Sequence, residues 1–516
     1  MRAFYKIIIS DYLQRTRSYA FLITLAISLY AAYSFVPAPN AAYTTLRIGN
    51  YLGADNAAWI GSVTAMMTSV FLSIIGFYLV NSGIKKDVDT GVGMIIATTS
   101  ISNFNYLLAK AWSNFLVLLS IMCMVLLMSI ALFLIRSGEY PFDIMQFILP
   151  YLLVTVPAIF FVAAIAVVAE VFLYRYNIVM NIGVYFIFCV LLASQTTISP
   201  LLDVFGIKQV TATMQDIIQH QYHQANHTTS MGFIFGHKKT LHSFVFEGVT
   251  WTAPFIFSRI LLMCLGLLLI LISSRFFHRF DIKQTFKKKK KSKIQEIIAP
   301  VKPLRDIRLS ALPPIKPNFG IIPFIKTELL MLFRKGPRWL WLINVGGMIA
   351  LIFAPLTVAH QMILPALWFL QVARWSDLAT KEKTNRIHYF TYASYKPLTR
   401  LLPAQVFAGI ILSFVLALPL FVRYLVAFQF LPILSIIMGS IFIVLLAVAL
   451  GMLSGGTKLF EILFFLFTYS NLNKVPFTDY FGGINHSANY LVVIAVLIAS
   501  LTFMSFLLRK IEIRHL

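Results

Sequence analysis

Charge is scarce in this chain of 516 residues: only 12% of positions are Asp, Glu, Lys or Arg, about half the share usual in a soluble globular domain. Acids are scarcer still, 19 against 43 Lys and Arg. Cysteine is nearly absent: Cys123, Cys189 and Cys264 all lie inside apolar runs, without CxxC spacing, and read as small packing residues. No GxxxxGK[ST] phosphate loop and no HExxH zinc motif occurs, and no credible nucleophile–base constellation is found. Stretches of about ten residues alternating polar with apolar, the mark of a membrane barrel, are also missing. The N-terminus lacks a small-residue cleavage site and carries Asp11 among Arg2, Lys6, Arg15 and Arg17, which argues against a cleavable signal.

What is abundant is apolar mass, 59% of residues with a mean hydropathy of +0.81. It comes in blocks of roughly 17–25 residues, the length that carries a helix across about 30 Å of hydrocarbon. Helices are expected because backbone groups in lipid must be satisfied within their own segment. The expected fold is therefore all-α, a polytopic bundle of about 12 spans. In the first half these are Tyr19–Val36, Ala58–Val80, Trp112–Leu134, Phe147–Leu173, Ile178–Ala193 and Pro254–Ile272. In the second they are Trp339–Pro355, Leu356–Val372, Val406–Val422, Leu431–Leu450, Leu459–Phe467 and Tyr490–Leu508. Trp339–Val372 is too long for one crossing, so it is split in two, with Pro355, His360 and Gln361 marking the turn. Leu459–Phe467 is short and reads as a half-span lengthened by its neighbours.

The formal net charge of +24 would suit nucleic acid, but its placement points to a membrane. Seventeen Lys and Arg fall between Arg275 and Arg338 against four acids, directly beside predicted spans. This is the positive-inside pattern, suited to anionic lipid near the linker, with both termini and the linker cytoplasmic in a plasma membrane of the bacterial inner-membrane kind. The loop Ser194–Ala253, with only Lys208, Lys238 and Lys239, is expected outside.

An internal duplication is expected, as 1–285, a basic proline-rich linker 286–317 carrying Lys287 to Lys291, and 318–516. Phe4-Tyr5-Lys6 and Phe324-Ile325-Lys326 each open an amphipathic stretch. The same offset sets Arg15 against Lys335 and Tyr19 against Trp339. Further on, Leu107-Leu108-Ala109-Lys110 parallels Leu401-Leu402-Pro403-Ala404-Gln405. Such repeats are common in transporters, with the pathway where they meet.

Each unit thus has an amphipathic entry helix and a sizeable cytoplasmic segment between its second and third spans. The first holds Asp87-Val88-Asp89-Thr90-Gly91-Val92-Gly93-Met94, then Ile96, Thr98, Thr99 and Lys110. This pattern resembles the permease subunits of type-2 ATP-binding-cassette exporters, where an acid and glycine precede a short amphipathic helix and a lysine opens the third span. The resemblance covers about Met1–Arg279 and is looser beyond it. It implies that Ile84–Lys110 docks a separate cytoplasmic ATPase that holds the ATP, with no cofactor and no catalysis on this chain. In the second unit Asp377, Glu382, Arg386 and Arg400 are the corresponding candidates; Glu382 stands for the acid, no glycine matches, and Gln405 or Arg400 replaces the lysine. The flat Leu453-Ser454-Gly455-Gly456, which mimics a cassette signature, reads as a turn between helices.

Two acids sit in apolar surroundings, where an ionisable residue is a functional candidate by default. Glu170 is expected to pair with Arg175, and Glu461 with Lys458 one turn away. The histidines at 220, 223, 227, 237 and 242 lack thiolates and supporting acids and read as a solvated polar helix and loop rather than a metal site. Two rival readings stay open: an ion-coupled secondary transporter, and a membrane transferase using those histidines.

Overall fold

The computed structural model describes residues 2–38, 41, 43–136, 140–173, 177–193, 203–222, 228–235, 242–277, 320–336, 339–472, 478–484 and 488–514. The basic linker and Arg175 lie outside the described residues, as do His223, His227 and His237. In the N-terminal half the order is α1 (Arg2–Thr16), α2 (Tyr19–Phe35), β1 (Tyr43–Ile48), β2 (Tyr51–Gly53), α3 (Ala57–Val80), α4 (Gly83–Asp89), α5 (Val92–Ala97) and α6 (Asn103–Arg136). Then follow α7 (Met145–Leu173), α8 (Asn177–Ala193), α9 (Ile207–Tyr222), β3 (Thr229–Phe235), β4 (His242–Phe244) and α10 (Ala253–Phe276). The C-terminal half has α11 (Ile322–Arg334), α12 (Trp339–Phe353), α13 (Leu356–Phe369), α14 (Val372–Trp375), α15 (Lys381–Thr384) and α16 (His388–Tyr392). It closes with α17 (Pro397–Val426), α18 (Phe430–Ser454), α19 (Lys458–Leu472) and α20 (Ala488–Arg514).

Every predicted span falls on a helix of this bundle. Seven helices among the described residues are long and apolar enough to cross a membrane: α3 with α4, α6, α7, α10, α17, α18 and α20. Two more follow if α1–α2 and α11–α12, bent by 71° and 99°, each count as one. The chain is a multi-pass helical membrane protein. Its outer faces agree: the most apolar window of α3 is 83% buried, that of α20 only 11%. Val492, Val493, Val496 and Phe503 on α20 are exposed, an arrangement suited to lipid and costly in water.

The bundle is helical as expected, with one small addition among the described residues: four short strands form one sheet in the order β3-β1-β2-β4. Tyr43–Ile48 is rich in β-prone residues and mostly buried, and the Gly49-Asn50 loop turns the chain back into β2. β1 pairs antiparallel with β3, tying the loop after α2 to the loop after α8 on one face of the bundle. One expectation needs correcting: the turn after α12 is at Ala354–Pro355 alone. His360 and Gln361 lie inside α13, where His360 is buried between the Tyr424 hydroxyl (2.8 Å) and the Phe481 carbonyl (3.0 Å).

The two halves meet reciprocally. α19 packs on α2 and α3, with Tyr78 against Phe465 at 4.6 Å between ring centres. Across the same contact α8 meets α13, with Tyr185 4.7 Å from Phe369.

Candidate functional site

The segment between α3 and α6 is a folded joint. Ser82, at φ +85°, marks the break between α3 and α4, which together still form one membrane-length helix. Gly91, at φ +75°, makes the turn between α4 and α5, while Gly93 is helical and buried. Asp87 and Asp89 therefore end α4 rather than lead a following helix. Asp89 is exposed, but Asp87 is buried: its carboxylate accepts from the Tyr106 hydroxyl (2.7 Å) and faces Lys110 Nζ at 2.7 Å. Asp11 on α1 lies 2.6 Å from the same ammonium. The candidates Asp87 and Lys110 are thus brought together beneath the surface, with one ammonium held by two carboxylates as a lock between α1, α4 and α6.

Glu170 anchors the joint from α7. Its carboxylate accepts the backbone N–H groups of Ser82, Gly83 (2.8 Å), Ile84 (2.6 Å) and Lys85 (3.4 Å), the otherwise unsatisfied donors at the start of α4. These N–H groups are its hydrogen-bond partners among the described residues, with the Arg15 guanidinium as a favourable charge nearby. What remains outward is the face of α5, where Val92, Met94 and Ile95 are exposed. Ile96, expected beside Met94, is half-buried against the small core that contains Ile84 and Tyr106. Thr98 and Thr99 bond back to Ile95 O (2.8 Å) and Ile96 O (2.6 Å), and Ser102 caps α6 instead.

The C-terminal half has a corresponding joint between α13 and α17. Lys335 donates to Ala373 O (2.6 Å) on α14, just beyond α13, as Arg15 donates to Val80 O (2.6 Å) at the end of α3. Lys335 also pairs with Asp377 at 2.7 Å, and Glu328 on α11 pairs with Lys381. Glu382 is buried and accepts from Gln405 Nε2 at 2.6 Å, where Asp87 meets Lys110 in the other half. Gln405, not Arg400, therefore faces the acid; Arg400 lies over the Phe324 ring at 4.6 Å. The positive charge comes from α20: Arg509 reaches Gln405 Oε1 (3.3 Å), the Tyr392 hydroxyl and Glu512 (3.2 Å). Burial holds the Glu382 carboxyl above its ordinary range, against the pull of Lys381 and Arg509. Arg386 is exposed at φ +56°, and Ile387, Tyr389 and Phe390 beside it are exposed as well, Phe390 by 82%.

Glu461 does pair locally, 3.5 Å from Lys458, but it also joins the halves. It accepts from Asn181 Nδ2 on α8 (3.2 Å) and Ser376 Oγ (3.3 Å). Lys458 opens α19 just after the Gly455 turn, whose φ is +64°.

On the opposite face sequence reasoning missed a matched pair. Asp203-Val204-Phe205-Gly206 precedes α9, and Asp479-Tyr480-Phe481-Gly482 lies between α19 and α20. Asp203 accepts from Ile207 (3.3 Å) and Lys208 (3.0 Å), and Asp479 from Phe481, Gly482, Gly483 and Ile484 at 2.7–3.2 Å. Gly206 and Gly482 have φ of +69° and +74°. The carbonyls of Phe205 and Phe481 both accept from a central helix, from Ser69 Oγ (3.1 Å) and His360 Nε2 (3.0 Å). The repeated Asp-x-Phe-Gly was the available signal. His220 ends α9 and His242 lies on β4, so these two histidines stand on different elements. Among the described residues no group of three His, Cys, Asp or Glu is placed to hold a metal.

Comparison with protein-family models, with curated proteins and with solved structures finds nothing that matches this chain.

Proposed function

We propose that this chain is the permease of an ATP-driven exporter, resembling the type-2 cassette class, with two fused six-helix units crossing a plasma membrane twelve times in all. Its termini, joints and basic linker face the cytoplasm, and separate ATPase subunits dock there and hold the ATP. The observation that carries this reading is the pairing of α5 and α16. Each is a short helix outside the apolar spans, in the joint between the second and third spans of its unit, with exposed apolar side chains. Buried charged networks bolt both joints to the spanning helices, so force applied there reaches the bundle. The repeat is supported by Arg15 with Lys335, by Lys110 with Gln405, and by the two Asp-x-Phe-Gly turns.

The test replaces Met94 and Ile95 by Asp, and separately Tyr389 and Phe390 by Asp. Each variant is expected to insert and fold normally yet lose co-purification with the ATPase. Charges forced into an apolar anchor cost several kcal/mol, on the order of a thousandfold in affinity. Normal ATPase binding by both variants would overturn the docking assignment. Glu461, bonded across the two halves, gives the ion-coupled transporter its one specific foothold. Uptake or efflux driven by a proton gradient without any ATPase, and lost in Glu461→Gln, would establish that alternative. Orientation is checked with single cysteines at Asp89 and Glu247, which should label from opposite sides of sealed vesicles.

A further inference from the structure

A cleft of about 190 Å³ opens at the basic end of the bundle, where α1, the α3–α4 junction, α6 and the start of α19 converge. Its walls carry Arg15, Lys86, Lys110 and Lys458 against the single acid Asp11. These cations are not equally engaged. Lys110 is matched by Asp11 and Asp87. Arg15 spends one amino group on the Val80 carbonyl and has no ion pair among the described residues. Lys86 is exposed at the rim, again without an ion pair among the described residues. Lys458 is the telling one: its ammonium nitrogen is buried, lies 3.5 Å from Glu461 and makes no hydrogen bond. A buried ammonium with three donors unused is costly unless something supplies acceptor oxygens.

The cleft floor is shaped for close approach. A Cβ at Gly83 would lie 2.6 Å from Arg15 Nη2, so glycine there lets the guanidinium settle against the backbone. The N–H groups of this turn are already taken by Glu170, so a ligand would meet the side chains. Beside the cleft, α1 exposes Tyr5 and Ile9 and then bends by 71° into α2, the disposition of a helix lying at a membrane surface.

We propose that this cleft binds a phosphate-bearing anion, with Lys86 and Lys458 as its direct ligands and Arg15 and Lys110 as flanking charge. A phosphate group is compact, multiply charged and rich in acceptor oxygens, which matches several cations converging from different helices on one small space. Its source is either a lipid headgroup, whose chains run along α1, or a soluble phosphate. The site also bridges the halves, since Lys458 comes from the C-terminal half and the other cations from the N-terminal half. Occupancy therefore fastens α19 to α1 and α4. The inference uses the membrane placement of α1 but not the export reading, and its test involves no ATPase.

The experiment uses the full chain in nanodiscs of neutral phosphatidylcholine. Phosphatidic acid is titrated in one arm and inorganic phosphate in the other, read by native mass spectrometry and by the melting temperature. Saturable binding of one equivalent, with a rise in melting temperature, is expected in at least one arm. K86Q/K458Q should weaken it by about tenfold or more, since each basic side chain near an anionic headgroup contributes measurably to such binding. K86R/K458R should retain it, which separates lost charge from lost folding. K396Q/K510Q, which alters a different basic pocket, should leave it unchanged. Saturation by phosphatidic acid alone assigns the site to lipid; saturation by inorganic phosphate as well assigns it to the soluble group. The proposal is overturned if neither probe saturates, if K86Q/K458Q binds like the unmodified protein, or if K396Q/K510Q loses binding equally.

Discussion

The joint after α3 and the joint after α13 do the same mechanical work with different chemistry. In the first, a full ion pair is buried: Lys110 sits between Asp11 and Asp87, at 2.6 and 2.7 Å. In the second, the lysine is replaced by Gln405, and Glu382 is balanced by the neighbouring Lys381 and by Arg509, which reaches Gln405 from the far end of the chain. The first joint therefore draws on α1, α4, α6 and, through Glu170, α7, whereas the second closes only when α20 is in place. Where Glu170 lies below the first joint, α18 presents Gly451 to the second, close to Thr380. What the difference teaches is that the geometry of a repeated joint can persist while its charges are redistributed, provided each buried charge keeps a partner.

The sharpest way to break this comparison is to remove the cation in one joint and the amide in the other. Lys110→Met leaves the buried Asp87 carboxylate and the partly buried Asp11 carboxylate without their shared cation and should cost about 3–5 kcal/mol. Gln405→Met removes a neutral donor and should cost about 1–3 kcal/mol. Melting curves in detergent check both, and Asp87→Asn added to Lys110→Met should recover part of the loss. Equal losses in the two joints would dissolve the distinction between them.

A second measurement concerns the opposite face, where the halves agree rather than differ. Asp203→Ala and Asp479→Ala each strand backbone N–H groups of a buried turn, at about 1–3 kcal/mol apiece. Similar drops in melting temperature would sharpen the match between the turns, and a loss confined to one would break it.

The smallest effect is a dependence on pH. Burial raises the Glu382 carboxyl in the folded protein above its unfolded value of 4.5. The folded state therefore binds the proton more tightly, and stability falls as pH rises from 4.5 through the folded-state value. Glu382→Gln should remove that loss, gaining stability near neutral pH and none below the ordinary carboxylate range. The check is the difference in melting temperature between variant and unmodified protein across that interval; a difference that does not change with pH would count against the assignment.

Much of the candidate site was legible by type and little of it by role. Asp87, Lys110 and Glu382 stood out as charges at the edges of apolar runs, and each is at a joint. Their burial was not readable, because it depends on α1 and α20 folding back over segments about a hundred residues away in sequence. Glu170 was visible as an acid in an apolar run, but its partner is a set of backbone N–H groups, which carry no residue identity. The strands were missed for a related reason: six residues of mixed polarity signal weakly beside twenty-residue apolar blocks.

By itself the sequence determined that helices fill this molecule and where they lie, because apolar length and backbone satisfaction in lipid are properties of contiguous residues. It also determined which end of each helix is basic. The tertiary structure alone decided that Asp87 meets Lys110 while Glu382 meets Gln405, that Ile95 rather than Ile96 faces outward, and that Lys458 is buried without a hydrogen bond. Those outcomes rest on distances between residues far apart in the chain, and such distances are fixed only when the helices pack.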